Sequence, residues 1–336
     1  MPRINWIDVA RGIGIILVIQ GHALGADSYR HFIYAFHMPL FFFLSGLVFN
    51  YKKYSLSVTF KKSVKGILVP YVLFALLFYV IWWLQNAHFR FELFAFVKHM
   101  QGIIYANSNN LFFNLVLWFL PCLFISKIAF AVLSSRLKSI NWIILVLVTS
   151  SLLGYLSFVF LPNLTLPFGI ESAFTAIVFF AMGSILKTNY FEKINLIPKS
   201  KITFILITAL VICLVAGFIN FQLYGVQIDL RLNNLGNYFV FYIGAVSGII
   251  LTITISILIN KNHMLEYIGK YSLALFVFHN LIFYYLTNIV LLFIEKRTLW
   301  EIKDYYLSYF YTVFAIVIIL AFVFIYRKIK PSELKI

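Results

Sequence analysis

The stretch RINWIDVARGIGIILVIQGH, residues 3–22, decides the fold. It has the apolar density of a membrane helix, yet it carries Asp8, Arg11, Gln20 and His22. Hydrocarbon penalises such groups, by about 2.5–3.5 kcal/mol for a charge near the helix centre. An α-helix turns about 100° and rises about 1.5 Å per residue. Arg11 and His22 therefore differ by about 20° around the axis, and Asp8 falls within about 40° of His22. The three form one stripe roughly 20 Å long, with Gln20 on roughly the opposite face from Arg11. Asp8 and Arg11, three residues apart, are spaced to pair. The stripe predicts a polar cavity along one face of the helix. Within it, the His22 imidazole is the group suited to taking a proton from an alcohol near neutral pH.

The rest of the chain repeats the apolar density without the stripe. Of 336 residues, 62% are hydrophobic and 11% charged, against about 25% charged in soluble domains. Such a composition predicts an all-α, polytopic integral membrane protein, built as a single domain over residues 1–336. A spanning helix needs about 20 mostly apolar residues. About ten candidates follow, at 5–25, 33–50, 67–85, 110–132, 140–160, 170–187, 202–221, 235–259, 271–294 and 305–326. The first is read as a retained helix rather than a cleaved signal, because Gln20 and His22 interrupt a short apolar core.

The net charge of +16 is assigned to loops rather than to nucleic-acid binding. With the N-terminus in the cytoplasm, 18 of the 27 Lys and Arg residues fall in inner segments and seven in outer ones, while Arg11 and Lys127 lie within helices. That bias predicts both termini inside the cell. Segment 51–70 becomes a basic inner loop and segment 88–110 an outer stretch with amphipathic character. Cys122 and Cys213 sit in apolar runs, without disulfide or metal-ligand spacing. The sequence contains no phosphate-binding Walker loop, dinucleotide fingerprint, GxSxG elbow or zinc motif.

The opening helix resembles that of acyltransferase family 3, in particular its fucose 4-O-acetylase-like branch. That family shows an aspartate, then an arginine or lysine, then a histidine after ten intervening residues; Asp8, Arg11 and His22 match. The resemblance continues through FHMPLFFFLSG (36–46), WFLP (118–121), LPFGIESAFTAIVFFAMG (166–183), GNYFVFYIGAVSGI (236–249) and IGKYSLALFVFHNLI (268–282). It covers nearly the whole chain in order and implies ten helices.

The resemblance implies a membrane O-acetyltransferase of the plasma membrane. The donor would be acetyl-CoA, with no resident cofactor or metal. The acceptor would be a hydroxyl of a surface polysaccharide or its lipid-linked precursor. His22 would be the general base, or would itself be acylated and relay the group outward, and Arg11, held by Asp8, would polarise the donor or stabilise developing charge. Relatives carry an RxxR pair after the second helix, proposed to engage acyl-CoA; here the pair is Lys62 and Lys65. Lysine offers a phosphate a point charge but not arginine's bidentate fork. His37, near His22 across a short loop, His279 in the ninth helix and Glu171 at the start of the sixth complete the candidate substrate-binding residues. A different class, a glycan or lipid-linked sugar transporter, also accounts for many helices with buried polar groups. The His22→Ala variant separates the two, since only the enzyme loses ester formation.

Overall fold

The computed structural model describes residues 5–23, 27–50, 53–85, 93–137, 139–189, 198–225, 227–292 and 305–329. Among these residues every named element is helical, and the one bridge, Asp229 with Asn234, is isolated. Among the described residues, nine helical stretches are long and apolar enough to cross a membrane. The tenth expected helix, α1 (Asn5–His22), forms as predicted but is not among those nine, its polar residues lowering its apolarity. Arg3, Lys52, Arg90, Lys138, Lys193, Lys296, Arg297, Lys303, Lys330 and Lys335, used above for orientation, lie outside the described residues.

The chain divides into two compact units. One holds residues 1–38, 198–227 and 239–336; the other holds 39–197 and 228–238. Helix α2 (Asp27–Val48) belongs to both, dividing at Pro39.

In the first unit α1 packs against α11 (His263–Lys270), α12 (Ser272–Val290) and α13 (Tyr305–Ile329). The α1–α11 crossing is backbone on backbone. A Cβ at Gly12 would overlap the Leu265 carbonyl oxygen, and one at Gly269 would overlap the Asp8 carbonyl oxygen. Small residues permit such approach, which replaces hydrophobic driving force inside a bilayer. Gly269→Val is expected to lower stability by about 1–3 kcal/mol, the range for overpacking a tight contact. Thermal unfolding of the detergent-purified variant checks this. The eight-residue α11 is absent from the predicted elements; Asn262 caps it, its Oδ1 accepting the Leu265 N–H at 2.9 Å.

The second unit contains α3 (Leu56–Ser63), α4 (Val69–Gln85), α5 (Leu93–Tyr105), α6 (Phe119–Arg136), α7 (Ile140–Phe160) and α8 (Ile170–Asn189). Its core is aromatic: Phe42, Phe43, Phe130, Phe179 and Phe180 are all but fully buried. Gly46 and Gly183 let α2 and α8 meet at their backbones, facing the Phe180 and Phe43 carbonyls. Two expectations are corrected. From Leu56 onward segment 51–70 is helical rather than a loop: a helical rod begins there and runs to Gln85, through a π-helical turn at Val64–Leu68. Helix α2 begins at Asp27, not at residue 33, so His37 lies well inside it rather than at its start.

Outward faces carry the membrane signature. Leu145 on α7, Val215 and Phe218 on α9 (Lys199–Tyr224), and Val313 and Phe322 on α13 are at least half exposed. In water such surfaces would drive aggregation; against lipid they are matched.

Candidate active site

The first unit gathers three of the predicted residues. His22 ends α1, and its ring centroid lies 5.2 Å from that of His279 on α12. The Tyr34 hydroxyl on α2 stands 3.1 Å from His22 Nδ1. One turn along α2, the His37 ring lies tilted against that of Tyr34, with centroids 4.6 Å apart. The order His279, His22, Tyr34, His37 therefore forms a continuous run of polar rings. His37 and His279 are buried, at 3% and 0% exposure, while His22 keeps partial exposure.

Backbone carbonyls fix the proton on two of these rings. His37 Nδ1 lies 2.9 Å from the Ile33 carbonyl oxygen. His279 Nδ1 lies 2.7 Å from that of Phe276 and 3.2 Å from that of Leu275. A carbonyl only accepts, so each Nδ1 carries hydrogen and each neutral ring keeps its lone pair on Nε2. His279 Nε2 is buried with no hydrogen-bond partner. An orphaned acceptor of this kind costs about 1–3 kcal/mol and is suited to a ligand hydroxyl.

The other polar residues of α1 divide as the periodicity predicts. Arg11 Nη1 bonds Asp8 Oδ1 at 3.3 Å, with Asp8 buried. Gln20 faces elsewhere: its Nε2 donates to Ser308 Oγ on α13 at 2.9 Å and also bonds Tyr29. Gln20 is thus a satisfied interhelical tie rather than part of the histidine group.

Lys62, Lys65 and Glu171 belong to the second unit. Lys62 Nζ sits 3.6 Å from the centroid of the Tyr54 ring. Hydrogen bonds to Tyr54 from Lys62 and Lys53 hold its phenol below the usual tyrosine pKa. Lys65 lies in the π-helical turn, exposed. Glu171 is buried at 8% exposure. Its Oε2 accepts the Leu166 N–H at 3.1 Å and holds the turn before α8, where Phe168 adopts φ 61°.

Sequence reasoning missed Tyr34, Tyr54 and the π-helical turn. Tyr34 is one of 21 tyrosines, and its spacing to His22 gives no local signal. The two lysines beside Tyr54 were visible, but the helix that aims Lys62 at its ring was not.

An acyltransferase-domain family matches residues 4–328, nearly the whole chain. Comparison with curated proteins and with solved structures gives no match. The matched span takes in the histidine group, the Asp8–Arg11 pair and the helices that carry them, in both units. The chain therefore belongs to acyltransferase family 3 and is a multi-pass membrane acyltransferase.

Proposed function

We propose that this acyltransferase moves an acetyl group from acetyl-CoA to a hydroxyl of a surface polysaccharide or of its lipid-linked precursor. It would do so in the plasma membrane, with both termini in the cytoplasm. We read it as a member of the fucose 4-O-acetylase-like branch, on the motif order of its sequence, and as one catalytic domain, which the family match through both units supports. The observation that carries the proposal is the contact of His22 with both Tyr34 and the orphaned acceptor His279.

In this mechanism His22 Nε2 is the general base. Its Nδ1–H then donates to the Tyr34 oxygen, which sets the tautomer and ring orientation, as in other base–orienter pairs. The acceptor hydroxyl donates to His279 Nε2 or His22 Nε2 on approach. As its oxygen attacks the thioester carbonyl carbon, the hydroxyl proton passes to His22. The C–S bond breaks, the ester forms, and the coenzyme thiolate regains a proton from the imidazolium. His37 buttresses Tyr34 through ring contact. By helix rise, Arg11 and His22 are about 16 Å apart, so Arg11 acts on a different part of the donor from the reacting carbonyl. Lys62 and Lys65 engage the donor phosphates, and Glu171 positions its own loop for the acceptor.

The test is direct. Purified protein is incubated with acetyl-labelled acetyl-CoA and a de-O-acetylated polysaccharide. The account predicts alkali-labile label in the polysaccharide and equimolar release of coenzyme A. Release of neither, across a panel of hydroxyl acceptors, would sink the assignment. Tyr34→Phe, which keeps the ring but loses the hydroxyl, is expected to lower kcat about tenfold, the value of one hydrogen bond near 1.4 kcal/mol, with the melting temperature unchanged.

A further inference from the structure

Lys127 is a lysine in an unusual place. It is the ninth residue of the 18-residue α6, so about 14 Å of helix continues beyond it. The stretch Leu115–Arg136 around it is apolar enough to cross a membrane. An ionisable group inside such a segment needs a partner, and it marks a site unless it has one.

Its surroundings supply more cations. Helices α3 and α6 pack together, with the Phe60 and Phe124 rings 5.8 Å apart. Lys127 lies one turn beyond Phe124, so the packed α3–α6 pair brings it near Lys62. Its Nζ is 5.6 Å from the centroid of Phe49, just past the end of α2. Lys62 in turn covers Tyr54, whose ring also has Lys53 Nζ at 5.3 Å from its centroid. Three ammonium groups thus converge on one region. The described carboxylates of this unit are engaged elsewhere: Glu171 with the Leu166 N–H and Asp229 with Arg231 at 2.9 Å. Lysines that serve only to orient a chain in the membrane spread over a surface. Here one reaches out of a spanning helix towards a second, which is unfavourable unless an anion joins them.

We propose that Lys127, beside Phe49, together with Lys62 and Lys53 over Tyr54, forms a phosphate-binding site. Lysine serves phosphate as a compact charge with three donors. Two ligands share this chemistry, the diphosphate and 3′-phosphate of the acyl-CoA donor and the headgroup of an anionic phospholipid. The donor is the preferred occupant, and that preference alone rests on the function proposed above. Lys127 becomes a binding residue absent from the KxxK pair.

The test uses the full chain in phosphatidylcholine nanodiscs, titrated with coenzyme A or inorganic pyrophosphate and followed by thermal shift. Lys127→Met is expected to weaken coenzyme A at least about tenfold, the loss typical of a charge-assisted contact. It removes a charge from an apolar helix, so its melting temperature without ligand should hold or rise. Lys127→Arg should bind within about threefold of wild type, because the charge is kept. A parallel series replaces part of the phosphatidylcholine with phosphatidylglycerol. Loss of only the phosphatidylglycerol response in Lys127→Met would uphold the phosphate site and make the headgroup its occupant. Unchanged responses to coenzyme A, pyrophosphate and phosphatidylglycerol in Lys127→Met would overturn the proposal. Pyrophosphate binding that needs Lys127, in a protein that transfers no acetyl group, would sink the acetyltransferase reading and leave this site standing.

Discussion

Replacing His22 with alanine is expected to cut acyl transfer by roughly 10²–10⁴-fold, the contribution of a positioned general base. The expectation follows from where the ring sits. His22 is the terminal residue of α1, partly exposed, with Tyr34 at its Nδ1 and His279 beside its face. The α1–α11 crossing rests on Gly12 and Gly269 at the middle of α1 and one end of α11, so trimming His22 leaves that contact intact. Transfer of labelled acetyl by the purified variant, with melting temperature as the control for folding, checks the prediction. Activity within threefold of wild type would remove His22 from the chemistry.

A second large effect is expected at His279. Its Nδ1 is held by backbone carbonyls and its Nε2 is buried without a partner. If that lone pair receives the acceptor hydroxyl, His279→Leu should lower kcat/KM about 10–100-fold, chiefly through KM for the acceptor. Stability should move the other way. Exchanging a buried, unsatisfied acceptor for an apolar side chain of similar size is neutral or stabilising. A variant with higher melting temperature and weaker acceptor use fits the account. One with higher melting temperature and unaltered kinetics would reduce His279 to packing. The opposed directions separate a functional strain from a structural role.

How much of this was legible in the sequence depends on whether a signal was local. The Asp8–Arg11 pair and the separate facing of Gln20 follow from helical periodicity, and the structure has both. The approach of His22 to His279 joins residues far apart in the chain, and only the family resemblance hinted at it. Tyr34 carries no signal of its own, because an aromatic next to an apolar run reads as packing. Helix ends were misread where the first turns are polar: hydropathy sees the apolar run from residue 67 but not that Leu56–Ser63 continues it. The same blindness placed His37 at a helix start when Asp27 already begins α2. Helix α11 is too short for any hydropathy window, yet it is the element against which α1 packs most tightly. The buried hold of Glu171 on its turn was not legible, because that turn depends on Phe168 adopting a positive φ, which sequence does not announce.

The central claim is that the polar face of the first membrane helix serves ester formation through His22. Proton NMR of surface polysaccharide from cells lacking the gene, complemented with either wild type or His22→Ala at equal protein levels, tests it most directly. The account predicts O-acetyl resonances with the wild type and none above background with the variant. Equal O-acetyl signals from both would contradict it.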